Sequence, residues 1–185
     1  MNHQDHVHLI ENGIEPGSGG VWADFGAGTG AFTLALRDVA GPGTEIYAID
    51  RDASSLQSLR TALERQFPGT SLQLLPGDFT QSLALPPLDG ILAANAIHFV
   101  RDQVTLLRRW RGYLKPEGRF VLVEYDSDSG NRWVPHPVSF RSLARLAQEA
   151  GFGEPRRLET VPSRFLGGMY AAAMLPRSPQ SANPD

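Results

Sequence analysis

The stretch Asp24-Phe25-Gly26-Ala27-Gly28-Thr29-Gly30 places three glycines between the pattern of a buried strand, residues 21–25, and the start of a helical pattern, residues 31–36. Glycine lets the backbone turn sharply and lets a ligand approach without a Cβ in the way. The helix then points its free N–H groups and the positive end of its dipole at the ligand. A second strand pattern, residues 45–49, ends at Asp50, whose carboxylate can accept hydrogen bonds from two ribose hydroxyls. The stretch therefore predicts a site for a nucleotide-type cofactor.

The length and composition limit the protein class. At 185 residues and 20.2 kDa we expect one domain with a sizeable core. The sequence has neither a run of about 20 apolar residues nor a signal-peptide pattern, so we expect a soluble, cytoplasmic protein without a membrane partner. It contains no cysteine, which excludes disulfides, thiolate metal sites and cysteine nucleophiles.

Helical and strand patterns alternate along the chain, which is typical of a doubly wound α/β sheet. After the first two strands we predict strands at residues 71–75, 90–94, 119–125, 156–160 and 169–175. Helices are predicted at residues 5–12, from residue 31 to Gly41, from Asp52 to Pro68, after a cap at Asp102, and from Ser139 to Gly151. We divide the chain into an N-terminal helix and linker (residues 1–20), a domain (21–175) and a disordered tail (176–185).

Two cofactor classes share the glycine loop. Residues 26–31 satisfy the dinucleotide fingerprint G-x-G-x-x-G/A, which favours a nicotinamide-dependent oxidoreductase. Asp24, two residues before the first glycine, favours another donor, because residues 24–30 resemble motif I of the class I S-adenosylmethionine-dependent methyltransferases. Further resemblances follow in the family's order at Leu75-Pro76-Gly77-Asp78-Phe79, at residues 88–98 and at residues 114–123.

The resemblance implies a Rossmann-like, seven-stranded sheet that is mostly parallel, with an antiparallel strand in a C-terminal hairpin. It implies transfer of a methyl group from S-adenosylmethionine to a small-molecule acceptor, with S-adenosylhomocysteine as product. The residues that it implies for cofactor binding are Asp24, Phe25, Gly26, Ala27, Gly28, Gly30, Asp50, Arg51, Asp78, Phe79 and Asn95.

Acceptor chemistry is expected after the fourth and fifth strands. His98 lies three residues beyond Asn95, and its unperturbed pKa of about 6.5 suits a general base. An equally weighted alternative is that His98 only bonds the loop or shapes the pocket. Tyr125 is a second catalytic candidate. The candidate acceptor contacts are His98, Asn131, Arg132, Trp133 and His136.

Several other chemistries are disfavoured. The sequence Asn95-Ala96-Ile97-His98 lacks the two prolines and the aromatic residue that amide and adenine amino methyltransferases use. Metal-dependent catechol-type methyltransferases need acids after the fourth and fifth strands, and Asn95 and Asp126 supply at most part of that ligand set. His3, His6 and His8 do not share one helix face, so a helix covering the site is favoured over a metal site.

The basic residues after position 98 allow two interpretations. Arg101, Arg108, Arg109, Arg111 and Lys115 fall on one predicted helix. They suit either a phosphate-contacting face or a solvated helix face, and we favour the solvated face because no aromatic residues are interleaved with them. Nucleic acid is therefore not an expected partner.

A homodimer is compatible with the sequence. The competing functions are the nicotinamide oxidoreductase and a non-catalytic S-adenosylmethionine-binding subunit of a partner enzyme.

Overall fold

The computed structural model describes residues 1–163 and 165–177. Seven strands form one sheet: β1 (Gly20–Phe25), β2 (Thr44–Asp50), β3 (Ser71–Pro76), β4 (Leu88–Ala94), β5 (Leu114–Tyr125), β6 (Arg156–Ser163) and β7 (Gly167–Met174). Their order is β3-β2-β1-β4-β5-β7-β6, and β7 is antiparallel to both neighbours while the pairs from β3 to β5 are parallel. The predicted Rossmann-like sheet with its antiparallel hairpin is confirmed.

Five α-helices flank the sheet: α1 (His3–Ile10), α2 (Ala31–Ala40), α3 (Ala53–Gln66), α4 (Gln103–Arg111) and α5 (Phe140–Ala150). Helices α4 and α5 pack on one face, where Trp110 stacks on Phe25 at 4.4 Å between ring centroids. Helices α1 and α2 pack on the other face, and α3 packs beside α2 against β2. Both faces of the central parallel strands are therefore buried, which explains their nearly continuous apolar sequence.

The helix boundaries follow capping chemistry. The side chains of Asp52, Asp102 and Ser139 each accept a backbone N–H of the first turn of α3, α4 and α5, and Gly151 ends α5 with φ of 86°. These three starts and the end at Gly151 are confirmed predictions. The first helix begins at His3 rather than residue 5, because Asn2 and Asp5 form a reciprocal capping box.

Several other boundaries differ from the sequence prediction, among them the starts of β4 at Leu88 and of β7 at Gly167, predicted at residues 90 and 169. Strand β5 begins at Leu114 rather than residue 119, because Leu114 pairs with Leu88 before an irregularity in the ladder to β4. At the C-terminal end, Pro176 forms an isolated bridge with Phe152, and the predicted tail lies outside the described residues from 178 onward.

No helix within residues 1–163 and 165–177 is long and apolar enough to cross a membrane. The cytoplasmic location and the homodimer stay predictions.

The carboxyl ends of the parallel strands lie at one edge of the sheet, and this edge positions the site. The backbone N–H groups of Gly26 and Ala27 donate to the carbonyl oxygen of Ile49 at 2.8 and 3.0 Å. The glycine loop after β1 therefore sits directly beside Asp50 at the end of β2. Such an edge, between helices on opposite faces, is where doubly wound folds bind ligands.

Gly90 in β4 provides a test of the sheet packing. A Cβ at Gly90 would overlap the indole ring of Trp22 on the neighbouring strand β1. We expect Gly90→Ala to lower the free energy of unfolding by about 1–3 kcal/mol, as for other overpacked cores, in a urea titration. Gly168→Ala in β7 is the control, because its Cβ would meet only an ordinary contact at 3.8 Å. Equal stability of the two variants would contradict this packing.

Candidate active site

The glycine loop leaves open space on one side. Gly26, Gly28 and Gly30 have φ of 81°, 52° and 93°. A Cβ at Gly26 would lie 2.8 Å from the Cβ of Ala96, and one at Gly30 would lie 2.6 Å from Leu59, so both positions are closely packed. A Cβ at Gly28 would meet no atom within 4 Å. Gly28 is therefore the glycine of this loop beside which a ligand has room.

Asp50 is held by two backbone N–H groups. Its Oδ2 accepts from Gly28 at 2.8 Å, and its Oδ1 accepts from Asp52 at 2.9 Å. A carboxylate offers about four lone-pair sites, so each oxygen can still accept a second hydrogen bond. Asp50 is thus fixed in orientation and remains able to bind two hydroxyls of a ligand.

A cleft of about 240 Å³ opens at this edge of the sheet. Five of the predicted cofactor-binding residues line it, namely Gly26, Asp50, Arg51, Phe79 and Asn95. The sequence prediction missed four further lining residues, Thr80, Ala96, Phe99 and Val100. Each of the four lies in a loop beside a predicted residue, and the alternation of strands and helices does not specify the path of such loops.

The loop after β3 is tied to two other parts of the chain. Asp78 forms an ion pair with Arg51 across the end of the cleft. Burial alone would raise the pKa of Asp78, but hydrogen bonds from Thr80 and the Arg51 cation outweigh it and lower the pKa below its ordinary value. The indole N–H of Trp110 donates to the carbonyl oxygen of Phe79 at 3.2 Å, and the Arg109 guanidinium donates to that of Thr80.

These contacts correct the interpretation of the basic residues as one solvated helix face. Helix α4 ends at Arg111, so Lys115 lies in β5, where it pairs with Asp89 at 2.7 Å. Arg109 and Arg111 are half-buried, and Arg111 donates to the carbonyl oxygen of Arg177 at 3.0 Å. Their cations therefore support loops and the end of β7 instead of facing solvent alone.

Asp24 and Phe25 lie behind the glycine loop. The Asp24 carboxylate is 1% exposed and accepts a 2.6 Å hydrogen bond from the Thr33 hydroxyl. Burial raises the pKa of Asp24 to about 7, although the Thr33 bond lowers it. The Phe25 ring is fully buried against Trp110. Both side chains therefore shape the loop from behind, and their predicted contact with the cofactor stays a prediction.

His98 forms a buried pair with an acid that the sequence prediction missed. Its Nδ1 lies 3.0 Å from both carboxylate oxygens of Glu124, and the two side chains are 3% and 0% exposed. The backbone N–H of Tyr125 also donates to Glu124, at 2.7 Å. Glu124 follows the apolar run 120–123 in β5, and a lone acid inside a buried strand was the available signal.

The second catalytic candidate lies close to this pair. Tyr125 is 8% exposed, and its ring centroid lies 5.8 Å from that of His98. Burial, and then the Glu124 charge, raise the pKa of the Tyr125 hydroxyl above its ordinary value. The hydroxyl is therefore better suited to donating a hydrogen bond than to acting as an anionic base.

The other predicted acceptor contacts lie on the loop between β5 and α5. The Asn131 side chain accepts from the backbone of Trp133 and Val134 at 2.8 and 2.9 Å, so it shapes the loop. The Arg132 guanidinium lies 5.8 Å from the centroid of the exposed Trp133 ring. The backbone N–H of His136 donates to the carbonyl oxygen of His98 at 3.0 Å, which joins the loop to the His98 turn.

The residues considered for a metal lie apart. Asp126 Oδ1 accepts from the backbone of Phe140 at 2.8 Å, and its Oδ2 lies 3.7 Å from the Arg157 guanidinium. His3 pairs with Asp38 at 2.9 Å and His8 with Glu11 at 2.9 Å. Within the described residues no three His, Cys, Asp or Glu side chains are grouped to hold a metal ion. Helix α1 packs against α2 and β6 and is not among the residues that line the cleft, so its covering of the site stays a prediction.

Comparison with known proteins identifies relatives with this organisation. A family model described as "Methyltransferase domain" matches residues 23–122. The chain is 29% identical over 180 residues to a probable cobalt-precorrin-6B C(15)-methyltransferase (decarboxylating) of Thermoplasma volcanium, covering 95% of this chain and 82% of the relative. It is 32% identical over 109 residues to the protein of the same name from Methanothermobacter thermautotrophicus, covering 58% of this chain and 54% of that relative. The chain thus spans about half the length of the second relative.

Among solved structures, CalO1 shares the fold. CalO1 is a methyltransferase in calicheamicin biosynthesis, in a form with S-adenosylhomocysteine bound. The TM-score is 0.69 at 23% identity, and the match covers 94% of this chain and 54% of CalO1.

The cleft fits S-adenosylmethionine. Asp50 offers acceptors for ribose hydroxyls, and the space beside Gly28 admits a ligand against the backbone. The Oδ1 atom of Asn95 is buried and lacks a hydrogen-bond partner among the described residues, and the amino group of a bound cofactor would supply a donor. Asn95 also has φ of 53°, an uncommon conformation for a residue other than glycine that places it at the cleft wall.

Gly28→Ala tests this fit. The added methyl group enters the open space beside Asp50, so we expect the affinity for S-adenosylhomocysteine to fall by roughly tenfold or more in calorimetry. Gly69→Ala is the matched control, because Gly69 also has a positive φ, 77°, and open space for a Cβ, but lies in the turn before β3. Folded Gly28→Ala protein with wild-type affinity would show that no ligand lies against this loop.

Proposed function

Since the chain belongs to the class I S-adenosylmethionine-dependent methyltransferase family, we propose that it transfers the methyl group of S-adenosylmethionine to a small-molecule acceptor. The observation that carries this proposal is the cleft lined by Gly26, Asp50 and Asn95, with the buried His98–Glu124 pair beside Phe99 of its lining. The bound cofactor supplies a methyl group already activated by its sulfonium. The protein then contributes mainly alignment of the acceptor with the carbon–sulfur bond.

His98 is the proposed base for the acceptor. The buried Glu124 carboxylate lies 3.0 Å from Nδ1 and favours a proton on that nitrogen. The neutral ring then keeps Nε2 free to accept a proton from a hydroxyl or an acidic carbon. This arrangement supports the base assignment, because the Glu124 contact fixes the orientation and tautomer of the His98 ring, as a second group does for catalytic histidines.

The family membership argues against the competing functions. The aligned region, residues 23–122, includes the glycine loop, Asp50 and His98, so it favours a methyl donor over a nicotinamide. The family match and the methyltransferase names of the relatives favour an enzyme over a non-catalytic subunit.

A corrinoid-type acceptor is a second candidate. It is favoured by the archaeal relative whose match covers 95% of this chain and 82% of its own length. The name of that relative denotes carbon methylation with decarboxylation, so its substrate, cobalt-precorrin-6B, is the discriminating reagent. A product that gains a methyl group and loses carbon dioxide in mass spectrometry would select this candidate.

His98→Gln separates a base from a pocket-shaping residue. The amide can still donate to Glu124, which preserves the buried contact, but it does not take up a proton. The assay uses an acceptor found by screening for methylated products. We expect kcat of the variant to fall by about 10²–10⁴-fold, and the increase of kcat with pH that the wild type shows to disappear. The affinity for S-adenosylhomocysteine is expected to stay near that of the wild type.

Tyr125→Phe is the control for that experiment. It keeps the ring beside His98 and removes only the hydroxyl, so we expect a loss below about tenfold. A His98→Gln enzyme that keeps most of its turnover and its pH profile would contradict the base assignment.

A further inference from the structure

Helix α4 contacts two opposite parts of the lining of the cofactor cleft. One part is the loop after β3, where Phe79 and Thr80 line the cleft, and we call it the β3 wall. The other is the turn at residues 95–100, which supplies four lining residues, and we call it the β4 wall. Helix α4 follows the β4 wall in the chain and extends about 10 Å from Gln103 to Trp110.

Gln103, the first residue of α4, holds the β4 wall. Its buried side-chain nitrogen Nε2 carries two N–H groups, which donate to the carbonyl oxygen of Ile97 at 3.2 Å and to that of His136 at 2.7 Å. In the segment Pro135-His136-Pro137, only His136 has a backbone N–H, and this group donates to the carbonyl oxygen of His98 at 3.0 Å. The β4 wall is therefore bonded both to α4 and to the loop between β5 and α5.

The other end of α4 holds the β3 wall. The indole N–H of Trp110 donates to the carbonyl oxygen of Phe79 at 3.2 Å, and the Arg109 guanidinium donates to that of Thr80. The described residues 77–87 form neither helix nor strand. Side chains from elsewhere therefore supply hydrogen bonds that a regular element would provide for itself, and they fix where this wall lies.

Helix α4 is itself anchored in the core. Leu106, Leu107 and Trp110 are buried, and the Trp110 ring stacks on Phe25 of β1 at 4.4 Å between centroids. The side chain of Asp102 caps the first turn. Closely packed elements deform little, so the distance between the two ends of α4 is fixed.

We infer that α4 is a rigid spacer that sets the width of the cofactor cleft, with Gln103 and Arg109 as its positioning residues. The inference rests on the proposed function, because it takes S-adenosylmethionine as the ligand of the cleft. Neither side chain is among the described residues that line the cleft, so each acts through the carbonyl group that it holds. Without the donor, the wall is less ordered in the free protein, and ordering it on binding lowers the affinity.

Two neighbouring arginines of α4 form a matched pair for a test. Arg109 donates to Thr80 in the β3 wall, whereas Arg108 donates to the carbonyl oxygen of Glu149 in α5 at 3.1 Å. Substitution by methionine removes the donor and keeps an apolar stem. In calorimetry with S-adenosylhomocysteine, we expect the affinity of Arg109→Met to fall about fivefold or more and that of Arg108→Met to stay within about twofold of the wild type. Arg109→Lys keeps a donor and should recover most of the loss.

Gln103→Met tests the β4 wall. Methionine is similar in length to glutamine but has no N–H group, so Ile97 and His136 both lose a donor. We expect the affinity for S-adenosylhomocysteine to fall about fivefold or more, whereas Gln148→Met, the same exchange at an exposed position of α5, should bind within about twofold of the wild type. A urea titration measures the stability of every variant separately. The variants of Arg109 and Arg108 decide the inference if Gln103→Met does not fold.

The outcomes separate this inference from the proposed function. Wild-type affinity in folded Arg109→Met, or an equal loss of affinity in Arg108→Met, would overturn the inference. Binding of S-adenosylhomocysteine with the expected losses in the variants, but without methyl transfer to any compound of an acceptor library, would contradict the proposed function and leave the spacer standing. A wild-type protein that binds no S-adenosylhomocysteine would overturn both.

Discussion

The hydrogen bond from the Gly28 N–H to the Asp50 carboxylate is the contact on which the site depends. It joins the loop after β1 to the end of β2 at 2.8 Å, while Asp52 fixes the other carboxylate oxygen. The positive φ of the loop glycines brings that N–H to the acid, and the parallel pairing of β1 with β2 brings the acid to the loop. This bond fixes Asp50, which lines the cleft, in the orientation that a ribose requires.

The second half of the site is assembled around a buried contact between a histidine and a carboxylate. His98 and Glu124 are 26 residues apart, yet both are excluded from solvent and share two contacts of 3.0 Å. Isolated burial of either group would be costly, and pairing offsets that cost. Because Glu124 stands at the end of β5 and His98 in the turn after β4, the pairing of these two strands holds the proposed base beside Phe99 of the cleft lining.

The order of elements was predictable from the sequence because its signals are local. Glycines at 26, 28 and 30, the caps at Asp52, Asp102 and Ser139, and Gly151 each act within a few residues of themselves. The missed features are contacts between distant positions. Arg109 supports Thr80 from 29 residues away, and Glu124 contacts His98 across two strands. Hydrophobic periodicity reports which face of an element is buried, but not which polar side chains meet there.

Calorimetric titration of Asp50→Asn with S-adenosylhomocysteine tests the central claim most directly. An asparagine carbonyl can accept from Gly28 or from Asp52 but cannot replace both carboxylate oxygens. The account predicts a folded variant whose affinity is lower by about tenfold or more, whereas Asp52→Asn, which keeps a good helix cap two residues away, binds normally. Unchanged affinity in Asp50→Asn, or tight binding of NADH by the wild type, would contradict it.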